Sequence, residues 1–173
     1  ELDEGTFPIS HRMIYFSHTF KGQHGAKSVL QRYATGGGEI YDLEFLTDAR
    51  GARVAAFGYW AGYVGAALAL MGYSYFKNNP LPFPALDHFR NKEELIGHIR
   101  GQLGGVPPKA MVMGALGRCG RGAIDLLTSV SAEIEITAWD KAEYDASAKP
   151  ITEIIEHDIF INAAYLREKI RPM

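Results

Sequence analysis

An α/β fold built on a parallel, helix-covered sheet is what three features of this 173-residue sequence predict. First, an apolar run, Lys109-Ala110-Met111-Val112-Met113, breaks into the glycine-rich stretch from Gly114 to Gly122. Second, strand-like and helix-like segments alternate after it: strand 109–113, helix 118–129, strand 134–138, helix 150–155, strand 158–162. Those are the connections of a parallel sheet. Third, residues 54–76 run without a charged side chain, long enough for one long helix. Together these give a Rossmann-like parallel sheet, its first half present, joined by the long helix to part of a second α/β domain. The expected boundaries are 1–53 for the C-terminal part of a substrate domain, 54–77 for an interdomain helix and 78–173 for the first part of a nucleotide-binding domain.

The elements follow in order. Met13-Ile14-Tyr15-Phe16 reads as a short buried strand leading into Ser17 and His18. A helix is expected over 25–34, ended by Gly36-Gly37-Gly38. Glu39 to Leu46 alternates as a strand, and Thr47 to Gly51 makes a turn ahead of Arg53. The uncharged stretch 54–76 has the length of a membrane span. Tyr59, Trp60, Tyr63, Tyr73 and Tyr75, however, are mixed there with many glycines and alanines and only two leucines. That composition favours a soluble helix wedged between two domains, and Gly58 and Gly62, four apart, suit close helix approach. Asn78 to Phe89, with Pro80, Pro82 and Pro84, reads as a loop. Asn91 then caps a helix running to about Leu103, Glu94 reaching back to complete a capping box.

The glycine-rich stretch carries the chemistry. A strand delivers the chain to a helix start where glycines let the backbone approach a pyrophosphate, whose charge is met by N–H groups and the helix dipole. Gly114 is expected to make the tight turn and Gly117 the close approach; Gly120 or Gly122 lets the helix pack tightly on the sheet. Asp140, twenty residues beyond Gly120, sits where a carboxylate accepts hydrogen bonds from an adenosine ribose. The spacing Gly-x-x-Gly-x-x-Gly is a variant of the dinucleotide fingerprint.

Composition narrows the partners. Eighteen basic against twenty acidic residues give a net charge of −2, so neither nucleic acid nor an anionic membrane is an expected partner. The six histidines show no metal-ligand spacing, and no metal is expected. The single cysteine, Cys119, cannot form an internal disulfide, which agrees with a reducing compartment such as the cytoplasm. At the start of a helix it reads as a packing residue. Glu1-Leu2-Asp3-Glu4 lacks the basic and apolar regions of a signal peptide, and without an initiator Met the sequence reads as part of a longer chain.

The blocks Thr6-Phe7-Pro8, Phe16-Ser17-His18-Thr19-Phe20-Lys21, Tyr41-Asp42-Leu43-Glu44-Phe45, Gly51 to Gly58, Gly114 to Ile124 and Ile159-Phe160-Ile161-Asn162 carry a family likeness. The chain resembles the NAD-dependent, lysine-forming saccharopine dehydrogenases over most of its length. That family is related in fold to alanine dehydrogenase and transhydrogenase subunits. The resemblance implies NAD as cofactor and a small-molecule substrate, saccharopine, cleaved reversibly to L-lysine and 2-oxoglutarate through hydride transfer and imine hydrolysis. Such chemistry needs two acid–base groups.

By the same resemblance His18 activates water, and Lys21, Gln23, Arg53 and Phe57 line the substrate pocket, where a ligand with three carboxylates suits Arg and Lys. Glu1 and Glu44 match acids that tune the catalytic pair. As a bare strand residue, Glu44 would face outward. Gly117 and Arg118 match the pyrophosphate turn, Asp140 the ribose contact and Tyr165 a residue beside the nucleotide. Ala52 stands where fungal relatives have an arginine near NAD, and Tyr144 where they have a smaller hydroxyl residue. The family's catalytic lysine is expected just before Glu1, and its C-terminal half after Met173. Rival readings are another amino-acid dehydrogenase of the alanine dehydrogenase superfamily, or a nucleotide-binding module without turnover.

Overall fold

The structure, a computed structural model, describes residues 5–56, 58–77, 79 and 82–164. The chain divides into two compact units, residues 1–56 and 57–173.

In the first unit, strands β1 (Arg12–Tyr15) and β2 (Glu39–Asp42) pair in parallel with Tyr15 opposite Asp42. Helix α1 (Ala26–Gly36) makes the crossover between them. A short 3-10 turn follows each strand: Thr19–Lys21 after β1 and Leu43–Phe45 after β2. Strand β2 therefore stops four residues short of the expected Leu46. The reason is local: the Asp42 side chain accepts the Glu44 N–H at 2.9 Å, which folds the backbone back on itself. Further on, Asp48 accepts the Arg50 and Ala52 N–H groups at 2.8 and 2.9 Å, and Thr47 bridges to Arg53 across that turn.

In the second unit, β3 (Lys109–Met113) lies between β4 (Glu135–Trp139) and β5 (Ile159–Asn162), all parallel, in the order β4-β3-β5. The central strand is buried on both faces, which is why it reads as an unbroken apolar run. Helix α4 (Arg118–Val130) connects β3 to β4. Helix α5 (Lys141–Ala146), not expected from the pattern, and a 3-10 turn, Thr152–Glu156, connect β4 to β5. Helix α3 (Lys92–Gln102) begins at Asn91, whose side chain accepts the Glu94 N–H at 2.9 Å while Glu94 accepts the Arg90 N–H, one residue before the cap.

The long helix α2 (Tyr59–Phe76) begins later than the expected residue 54 and packs within the second unit, where it crosses α4 at backbone contact. A Cβ on Gly62 would lie 1.8 Å from the Cys119 carbonyl oxygen, and one on Gly122 would lie 1.9 Å from that of Tyr59. Only glycine at both positions permits this crossing. Around it Ala66, Leu70, Ile99, Val112, Ala123, Leu126 and Leu127 are wholly buried, each larger side chain stabilising the fold by about 1.5–3 kcal/mol. No described helix is long and apolar enough to cross a membrane.

Candidate functional site

The two units each carry a cluster of candidate residues. In the first, the parallel pairing brings the ends of β1 and β2 side by side, so the two 3-10 turns leave from neighbouring points. Glu44, in the second turn, is 8% exposed and stands at the centre. Arg53 Nη2 lies 2.7 Å from its Oε1, while Lys21 Nζ lies 3.1 Å and His18 Nδ1 3.5 Å from its Oε2. Three of the residues expected to act on a substrate thus converge on one buried carboxylate. Glu44 is thus not the outward-facing residue that a bare strand would make it: once β2 ends at Asp42, alternation no longer governs position 44. A carboxylate this buried depends on its cations, and stripping one away would be costly. The cations themselves remain reachable, Lys21 and Arg53 with side chains 46% and 37% exposed, and a guanidinium has five N–H donors to share.

His18 is held in an unusual way. Its backbone is left-handed, at φ 55° and ψ 5°, a conformation that costs a non-glycine residue of order 1–3 kcal/mol and recurs at functional sites. Its Nδ1 is buried without a hydrogen bond, since 3.5 Å to Glu44 is too long for a good one. His18 also lines a cavity of about 450 Å³ with Ser17, Gln23, His24, Ser28 and Arg32. Gln23 is thereby placed beside His18, while Lys21 and Arg53 are grouped with it through Glu44 instead. Arg32, buried, donates from Nε to the Phe7 carbonyl at 3.1 Å and stacks 4.2 Å above the Phe7 ring.

Asp42 escaped the sequence reading as a site residue. Its Oδ2 accepts the Ser17 hydroxyl at 2.7 Å and its Oδ1 the Glu44 N–H. Burial pushes its carboxyl pKa up, but the donors from Ser17 and Glu44 outweigh that and hold it below the ordinary aspartate value. The signal available was Asp itself, whose side chain readily accepts a backbone N–H two residues on and so turns the chain.

In the second unit the strand order reverses about β3, with β4 on one side and β5 on the other. Ligands of open α/β sheets bind beyond the strand ends at such a switch point. Gly114, the first residue there, has φ 83°, and a Cβ on it would lie 2.7 Å from the Ala163 backbone, so glycine alone lets the two loops pass. A Cβ on Gly120 would meet the Gly114 carbonyl at 2.2 Å. The expectation that Gly120 or Gly122 packs the helix on the sheet is therefore corrected: Gly120 seats α4 on the preceding turn, and Gly122 seats it on α2. Gly117 is exposed and caps α4 without a side chain, leaving the helix start open to an anion. Arg118, also exposed, follows it and rests its stem near Gly58. Cys119, half-buried, lies where α4 meets α2.

Asp140 closes β4. Its Oδ2 accepts the Leu116 N–H at 2.9 Å and its Oδ1 the Lys141 N–H at 2.8 Å, while Glu143 accepts the Asp140 N–H in a capping box that starts α5. The Leu116 and then the Lys141 hydrogen bonds hold its pKa below the ordinary aspartate value. It is an anion at neutral pH, tied to the glycine turn, with lone pairs left for a ligand. Glu1, Phe57 and Tyr165 lie outside the described residues. Among the described residues no three His, Cys, Asp or Glu side chains group as a metal site.

No family model matches the chain. It is 42% identical to saccharopine dehydrogenase (NAD(+), L-lysine-forming) of Neurospora crassa over 98% of its own length and 47% of that protein's. It is 43% identical to the enzyme of the same name from Yarrowia lipolytica (99% of this chain, 49% of that one) and 41% identical to that of Candida albicans (99% and 50%). The chain spans about half the length of the curated relatives it matches. By sequence along nearly its whole length, then, this chain with its glycine turn and its Glu44 cluster is a relative of the lysine-forming, NAD(+)-linked saccharopine dehydrogenases.

Proposed function

We propose that this chain is part of an NAD-dependent oxidoreductase that cleaves saccharopine reversibly to L-lysine and 2-oxoglutarate. The observation that carries the reading is the convergence of His18, Lys21 and Arg53 on the buried Glu44, in a chain whose relatives bear that enzyme's name. The first unit is read as part of the substrate domain and the second as the beginning of the NAD-binding domain. We read the enzyme as one that acts on small molecules in lysine biosynthesis. A net charge of −2 gives nucleic acid no purchase, and a lone cysteine suits the cytoplasm.

The residues at the switch point fit NAD. Gly114 and Gly120 bring turn and helix together where any Cβ would collide, Gly117 presents an open helix start, and Asp140 is ionised beside them. Gly117 and Arg118 would hold the pyrophosphate and Asp140 the ribose hydroxyls. When bound, NAD supplies the acceptor for the hydride leaving the substrate's amine carbon.

Water activation and substrate binding fall to this chain's own side chains, while the second acid–base group, which takes the amine's proton, is the lysine expected just before Glu1. With Nδ1 turned to Glu44, His18 has Nε2 for water, and it takes the water's proton as the oxygen adds to the imine carbon. Glu44 stabilises the imidazolium so formed. Lys21 and Arg53, anchored at Glu44 yet exposed, take substrate carboxylates, and Gln23 donates from the cavity wall. The test uses the protein at its natural length, supplied with NAD and saccharopine, or with alanine, while NADH absorbance is followed. Turnover with saccharopine alone supports the reading. Turnover with alanine alone assigns the chain to another amino-acid dehydrogenase, and NADH binding without any turnover makes it a nucleotide-binding module.

A further inference from the structure

Four features of the first unit bear on how His18 comes to face Glu44. The Asp42 carboxylate uses both oxygens on different segments: Oδ2 on the Ser17 hydroxyl at 2.7 Å, Oδ1 on the Glu44 N–H at 2.9 Å. The Ser17 hydroxyl in turn stands 3.0 Å from Thr19 Oγ1 and accepts the Thr19 N–H at 3.4 Å, so both neighbours of His18 are tied to one group, and Thr19 is buried. The His18 backbone is left-handed, and its side chain makes no capping bond of its own. Its buried Nδ1 has no hydrogen bond. With Nδ1 unbonded, the imidazole takes its direction from its backbone and from the neighbouring Phe16 ring, stacked at 6.1 Å on the same turn, and a left-handed backbone at a non-glycine residue persists only where its surroundings over-determine it.

We propose that Asp42 is a positioning residue, its one carboxylate fixing the turn that carries His18 against the turn that carries Glu44. Its catalytic consequence rests on the saccharopine reading above; its structural consequence does not. The Tyr15–Asp42 pairing at the ends of β1 and β2 puts the carboxylate at the edge from which both turns leave. Neither oxygen suffices alone: capping Glu44 shapes one turn, holding Ser17 shapes the other, and the distance from His18 to Glu44 depends on both.

The experiment compares Asp42→Ala, Asp42→Asn and Ser17→Ala in the protein at its natural length. It measures kcat and KM for saccharopine and NAD, and the ring nitrogen signals of His18 by NMR. Asp42→Ala should lower kcat about 100-fold, the scale of a small misplacement at a reacting centre, with KM for NAD within about twofold. Asp42→Asn should return at least about tenfold of that loss, because its amide oxygen still caps Glu44 and its NH2 reaches the Ser17 oxygen. Ser17→Ala should shift or broaden the His18 signals as Asp42→Ala does, and Asp42→Asn should not. Unchanged His18 signals in both alanine variants, with kcat within about threefold of the parent, overturn the proposal. Should Asp42→Ala fail to fold, Ser17→Ala, which keeps the Glu44 cap, decides it. Should the parent itself leave saccharopine untouched, the proposed function falls, while the His18 signals still judge the positioning role.

Discussion

Residues 57–173 bury an apolar interior, with Leu70, Ile99, Val112, Leu126 and Leu127 wholly shielded. Among the described residues of 1–56, by contrast, the buried side chains are Ile9 and Tyr33 together with Thr19, Arg32 and Glu44. One unit is held by close packing, and the other is organised by polar groups that need specific partners. The two pay different penalties for change. A packed helix crossing tolerates no added atom but is indifferent to charge, whereas the Glu44 cluster accepts small shifts of shape and no loss of a cation. The proposed division of labour follows the same line: the glycine turn for the nucleotide in one unit, charge-bearing groups for the substrate in the other.

The sharpest probe of that contrast is His18→Gln, expected to lower saccharopine turnover by about 10²–10⁴. NADH binding, followed by fluorescence titration, should stay near its parental value, since the turn proposed to hold the nucleotide belongs to the other unit. Equal losses in both would erase the distinction. Next comes Gly62→Val, whose new atoms meet the Cys119 carbonyl. It should destabilise the second unit by about 3 kcal/mol, at the upper end for overpacking, read from the urea midpoint. A stability within error of the parent would show that α2 and α4 can separate freely.

Smaller is the effect of Asp140→Ser, which removes the carboxylate that would repel a 2′-phosphate. The preference for NAD over NADP should weaken roughly tenfold, as suits one charged hydrogen-bond partner, measured as the ratio of kcat/KM for the two cofactors. The folded-state pKa values of Asp42, Asp48 and Asp140 are all lowered. Their stabilising contribution is therefore present above the ordinary aspartate value and lost as pH falls through the lowered ones. Melting temperatures taken from about pH 6 down to about pH 2 should fall, and Asp140→Asn should flatten that decline. The smallest change is Gly97→Ala in α3, where a Cβ meets nothing within 4 Å; it should stabilise by about 0.5–1 kcal/mol.

Much of the second unit was legible because its signals are local. Lys109–Met113 was read to the residue, since a strand buried on both faces is an unbroken apolar run ended by glycine. Helix α5 was missed although Asp140 and Glu143 stand at the same capping-box spacing that identified α3 from Asn91 and Glu94. Asp140 had been read for its ligand alone. The first unit hid more. Alternation carried β2 on to Leu46, yet a side chain two residues upstream of Glu44 overrode it. No period or spacing links Ser17 to Asp42, because a parallel strand pair brings them together across a helix, nor Arg53 to Glu44, because the bridged turn between Thr47 and Arg53 brings the guanidinium back. Helix α2 is legible as one long uncharged run, but its start at Tyr59 and its neighbour are not, since Gly62 acts in contact with Cys119 and Gly122 in contact with Tyr59, not in the pattern.

The pairing of Tyr15 with Asp42 has a bearing on how such a chain can vary in length. Since side chains alternate faces along a strand, one residue inserted between Met13 and Tyr15, or between Ile40 and Asp42, would turn Asp42 from Ser17 and dissolve the cluster. Residues added between Lys21 and Ala26, by contrast, would lengthen a surface connection at little entropic cost. Insertions and deletions should therefore be counted by where they fall against the β1–β2 register, and a library built to remodel this unit would vary its connections and leave the two strand ends in step.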